Sequence, residues 1–192
     1  MNFSHLTNQN KMENEQVQPS YWNSVIIASL LTAIIVTAFS LIGGYMTLGT
    51  EPSGSFFSSA QLFGTIGCLI GALGGLFANW HYVKENQVTY KIGKGALIGL
   101  FVGLVATIFS VIIGQIWNVL DPGYQQALIE WNIQNLEAMQ MPAEAREQAI
   151  AGFDDPNSLS NIGLQALFTF IGLGIVNVIS GLIGAKVFAS EE

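Results

Sequence analysis

Charge is scarce in this chain, and the scarcity sets the first limits. Only 10% of its 192 residues are Asp, Glu, Lys or Arg, against a hydrophobic fraction of 51%. A soluble domain carries about 25% charged residues, so the chain lacks the polar surface that a water-exposed globule needs. A single cysteine, Cys68, excludes any disulfide within the chain. It lies in an apolar stretch, where a small packing residue is expected rather than the electropositive, part-exposed setting that activates a thiol. Histidine is nearly absent as well. His5 and His81 are the only two, and neither has a carboxylate clustered with it in sequence, so general acid–base chemistry has few bearers. Zinc-type ligand spacing is missing, and Asp154-Asp155-Pro156-Asn157 lacks the ligand series of a calcium loop. Gly93, Gly95 and Gly99 do not have the spacing of a phosphate loop. A net charge of −7 with no basic patch excludes nucleic acid as a partner. The expectation is a chain with no catalytic residue, no metal and no cofactor, and therefore not an enzyme.

What the sequence does have is apolar length. A bilayer core of about 30 Å takes roughly 20 apolar residues in helical form, and residues 24–46, 60–80, 95–118 and 162–186 each meet that length. None holds an Asp, Glu, Lys or Arg before its last residue. Backbone groups in lipid must be satisfied within the segment, which calls for helices; the period-two alternation of a membrane barrel is absent. The fold class expected is all-α: a bundle of four transmembrane helices, residues 21–192, preceded by a polar tail, residues 1–20, that is read as disordered. That tail lacks the pattern of a signal peptide, and Met12 is a candidate start.

Lysine placement gives the orientation. Lys11, Lys84, Lys91, Lys94 and Lys186 share one side, and only Arg146 falls on the other. The lysine side is expected to be cytoplasmic, with both termini. Tyr21, Trp22, Trp80, Tyr82 and Tyr90 then fall at the inner interface, and Tyr45, Phe56, Phe57 and Trp117 at the outer one, the depth that such rings favour.

Helices in lipid associate through small residues. Gly67, Gly71 and Gly75 repeat every four residues in the second span, and Gly95, Gly99 and Gly103 do the same in the third. Their grooves are expected to bring those two spans together across the short loop between them, either as packing within one bundle or as contact between copies. Ionisable residues, which ion-coupled transporters carry inside the membrane, are absent from the spans. Asn177 is the one deep amide, read as an interhelical hydrogen bond or as a polar contact to a solute.

Residues 121–161 form an external insert. Asp121 is a candidate N-cap and Pro122 fits the first helical position, opening a helix to about residue 140. Tyr124, Leu128 and Trp131 fall on one face with Met139, while Ile129, Ile133 and Leu136 make a second stripe. A second helix from Pro142 to about Phe153 completes a hairpin. One stripe suffices to close the hairpin, so Tyr124, Leu128, Trp131, Ile129, Ile133 and Leu136 are together the candidate partner contact.

Taken together, the run Tyr90-Lys91-Ile92-Gly93-Lys94-Gly95-Ala96-Leu97, a glycine-rich span, then Asp121-Pro122-Gly123-Tyr124 and a glutamine- and glutamate-rich helix resembles a family of small Bacteroidota membrane proteins catalogued as domain of unknown function four-one-nine-nine. The resemblance implies four spans with a helical insert before the last, and the inner membrane of a Gram-negative bacterium; it carries over no functional residue. The function expected is a non-enzymatic inner-membrane scaffold or accessory subunit. Its partners are membrane lipid and either a second copy or a heterologous membrane or periplasmic protein. The alternative is a small transporter or channel for a neutral solute.

Overall fold

A computed structural model describes residues 19–55, 57–153 and 158–189. The tail through residue 18, Phe56 and the Asp154–Asn157 run lie outside the described residues, as do the expectations attached to them. Four helical stretches are long and apolar enough to cross a membrane. The first is α1 (Trp22–Leu48). The second, Ser59–Asn86, is divided into α2 (Ser59–Gly71) and α3 (Gly74–Asn86). The third is α4 (Ile92–Leu120), and the last is α7 (Leu159–Phe188). Between them lie α5 (Pro122–Ala138) and α6 (Ala143–Ala151). At 27 to 30 residues each stretch is about 40 Å long or more, beyond the hydrocarbon thickness alone.

Each helix outruns the apolar run that predicts it by a few residues, and polar side chains cap two of the starts. Ser58 accepts from the Gln61 N–H while the Gln61 side chain accepts from the Ser58 N–H, a reciprocal cap that opens α2. Ser158 caps α7 through the Asn161 N–H. Away from the core, Leu104, Ile108, Ile112 and Ile116 on α4, and Ile175, Ile179 and Ile183 on α7, form exposed apolar stripes, the surface that a bilayer requires.

The helices pair differently from the expectation. Gly95, Gly99 and Gly103 face α7, and of the three only Gly95 also meets the second span, at Asn79. A Cβ on Gly103 would sit 2.7 Å from the Gly174 Cα, and one on Gly99 would strike the Asn177 backbone. The two helices meet along most of their length, the most extensive contact in the fold. Gly67 and Gly71 face α1 instead, where a Cβ would lie 2.8 Å from the Phe39 Cβ and 2.7 Å from Val36 Cγ2. Gly75 alone turns to α7, against Asn177 and Ser180. A four-residue repeat makes one groove only on an unbroken helix. The break at Ala72–Leu73 separates Gly75 from the other two, so the second span serves two neighbours.

Candidate functional site

The break is held by the last span. At its far side the Gly75 N–H has no carbonyl four residues back within an intact helix, and it donates to Asn177 Oδ1 at 2.7 Å. Asn177 is fully buried, and its Nδ2 donates to Leu173 O at 2.9 Å. Both ends of the amide are engaged by protein. Asn177 is not the only buried amide. Asn79, also 0% exposed, donates through Nδ2 to Gly75 O at 2.7 Å and accepts the Tyr90 hydroxyl at 2.6 Å. Its position, one residue from the end of the 60–80 run, makes it look interfacial in sequence.

Near the lysine-bearing end, Tyr21, Tyr82 and Tyr90 surround Lys94, whose Nζ stands 4.8 Å from the Tyr82 ring centroid and donates to its hydroxyl at 2.9 Å. Tyr82 is fully buried, and its hydroxyl also donates to Pro19 O at 2.7 Å. Burial, and then the neighbouring Tyr82, push the Tyr90 hydroxyl pKa up. His81 has more company than the sequence suggests. Its Nδ1 lies 2.9 Å from Ser24 Oγ, and its Nε2 lies 3.5 Å from Glu85, one helical turn on. Ser24 is 1% exposed, so this line of three pins α1 to α3.

At the opposite, acidic end, α5 lies down on the bundle. Pro122 starts it, but Asp121 does not cap with its side chain; its carboxylate accepts the Tyr45 hydroxyl at 2.5 Å instead. Tyr124 enters above Gly44, where a Cβ would overlap its hydroxyl, and packs on Tyr45 with ring centroids 4.7 Å apart. Burial raises the Tyr124 pKa, and Tyr45 and Asp121 add to the rise. Trp131 Nε1 donates to Thr50 O at 2.7 Å. Asn135, buried, accepts from the Ser53 and Gly54 N–H groups and donates to Ser55 O at 2.9 Å. Gly54 takes φ +70°, and a Cβ there would lie 2.6 Å from Ala138 O, so the 50–55 loop and α5 fit only through glycine.

The stripe of Tyr124, Leu128 and Trp131 is therefore spent on the chain's own loop and bundle, while Ile129, Ile133 and Leu136 are half-buried. Asn135, which no apolar pattern marks, is the residue that fastens the helix. Glu130, Gln134 and Glu137 on α5, and Glu144 and Glu147 on α6, face outward. Beneath α5 a cavity of about 400 Å³ opens among α1, α4 and α7, floored by Val36 and Val111 and roofed by Tyr124 and Leu128. Asn177 does not line it.

A four-span helical bundle carrying a helix pair between its third and fourth spans, with α5 docked on the bundle, is a multi-pass membrane protein. The family model described as "Protein of unknown function (DUF4199)" matches residues 7–189, and the chain belongs to that family. No curated protein and no solved structure matches it.

Proposed function

We propose that this chain is a non-enzymatic accessory subunit of the inner membrane. Its termini are cytoplasmic, and its helix pair on the opposite side meets a basic surface of another membrane or periplasmic protein. The observation that carries this reading is the way α5 is held. Tyr124, Trp131 and Asn135 fasten one face of the helix to the bundle, which presents Glu130, Gln134 and Glu137 outward on a platform whose geometry is set before any partner arrives. Preorganised charge of one sign favours association with the opposite sign. Placement of the lysines on the other face supports the orientation. A solute path is disfavoured, because Asn177 is bonded to α3 and α7 while backbone packs on backbone between α4 and α7.

A photoreactive residue at Gln134 in native membranes tests the reading. The expected result is capture of one heterologous protein, lost in a Glu130→Lys, Glu137→Lys variant that still inserts. Capture of only a second copy, or of lipid, would refute it.

A further inference from the structure

The cavity beneath α5 has a chemistry of its own. Ser40, Ser110, Gln115, Gln165 and Thr169 bring hydroxyl and amide groups to its wall, and among the described residues no Asp, Glu, Lys or Arg lines it. Ser110 Oγ is fully buried and has no hydrogen-bond partner among the described residues, a condition that protein interiors seldom tolerate. Its volume of about 400 Å³ lies within the range of small-ligand sites, which spans roughly 300–1,000 Å³. The surroundings choose the sign of any occupant. The Asp121 carboxylate at this end already accepts from Tyr45 at 2.5 Å, and among the described residues no cation lines the wall to meet a phosphate. The wall is also incomplete. Helices α2 and α7 touch only sparsely, and α2 gives the cavity no lining residue beyond Ala60, so the side between them faces the bilayer.

We infer that this cavity binds the uncharged, hydroxyl- and carbonyl-bearing end of a glyceride lipid, which enters from the adjacent leaflet between α2 and α7 and hydrogen-bonds Ser110. The apolar part of the lipid remains against the helix surfaces. A phospholipid fits poorly, because its phosphate would be taken from water into a wall of amides and hydroxyls without a counter-charge.

The full chain in phosphatidylcholine vesicles, with a photoreactive, clickable diacylglycerol, tests this; the same probe as phosphatidic acid is the comparison. Diacylglycerol should label peptides covering 110–118 and 162–169 in preference to phosphatidic acid, and unlabelled diacylglycerol should compete. Gly114 lines the cavity with nothing within 4 Å of a Cβ position, so Gly114→Leu should fill the space and abolish the preference. Ser110→Ala should weaken competition roughly five-fold, the equivalent of about one neutral hydrogen bond. Equal labelling by both probes, labelling spread over the exposed stripes of α4 and α7, or competition by free glycerol would each overturn the inference. The wild-type comparison decides even where a variant fails to fold.

Discussion

Replacing Asn177 with leucine removes the acceptor that closes the broken second span while keeping the number and branching of side-chain heavy atoms. Two hydrogen bonds are lost, and they are unequal. The Nδ2 bond to Leu173 O lies within α7, and its donor disappears with the substitution. The Oδ1 bond to Gly75 N–H leaves a backbone donor behind, in a place that is 0% exposed at Asn177. Orphaning a buried donor costs about 1–3 kcal/mol. Interhelical side-chain bonds in membranes average only about 0.6 kcal/mol, with a maximum of about 1.7, because the separated helices find other partners. The break at Ala72–Leu73 offers Gly75 no carbonyl of its own helix, so the upper part of both ranges applies, and the expected loss is about 2 kcal/mol. Unfolding in mixed micelles by graded denaturing detergent measures it, with amide exchange at Gly75 as the local reporter. A stability change within about 0.5 kcal/mol, the level of an indifferent substitution, together with unchanged exchange at Gly75, would show that the break is satisfied by other means and that the argument is wrong.

Other perturbations separate the remaining contacts. Gly103→Leu forces a Cβ onto the α7 backbone and should cost at least about 2 kcal/mol, whereas Gly172→Leu, with nothing within 4 Å of its Cβ position, should leave the same unfolding midpoint. Asn135→Ala removes the contacts to Ser53, Gly54 and Ser55; at about 0.5–1.5 kcal/mol for each bond, α5 should loosen and added protease should cut the 50–55 loop or the 139–142 link at least several-fold faster, with the spans intact. Alkaline titration followed by tyrosinate absorbance should show Tyr90 and Tyr124 ionising above the ordinary value of 10.0. Because burial raises both pKa values in the folded state, their contribution to stability is complete below pH 10 and falls as pH rises beyond it; Tyr90→Phe should shift that alkaline loss, and an unchanged profile would refute the assignment.

The spans were legible because lipid imposes one rule on every residue, and hydropathy states that rule directly. The lysine asymmetry and the hairpin between spans three and four were equally open to a linear scan. The pairing of helices was not. Gly67, Gly71 and Gly75 look like one groove in sequence, and nothing in Gly-Ala-Leu-Gly-Gly announces a break whose cause lies a hundred residues on, in Asn177. Nor does apolar periodicity pick out Asn135, because its partners are backbone groups of a loop eighty residues away. Tyr124, Leu128 and Trp131 were found by periodicity as one face, but the same pattern serves a foreign partner and the chain's own loop alike. His81 seemed isolated because Ser24, its close neighbour, belongs to another span.

The amide on α7 also has a consequence in time. A chain is made from its N-terminus, so α1 through α4 emerge before the residue that completes α3 exists. Until residue 177 arrives, the Gly75 N–H has no acceptor in α7, and Gly95, Gly99 and Gly103 have no facing backbone. Tyr90 likewise takes its backbone acceptor from Ala189, at the far end of α7. A product truncated before the last span is thus not a smaller version of the protein but an unfinished one, with polar backbone exposed to lipid, the condition that helical membrane structure exists to avoid. The C-terminal helix is the keystone of assembly, and the interrupted second span is the joint that waits for it.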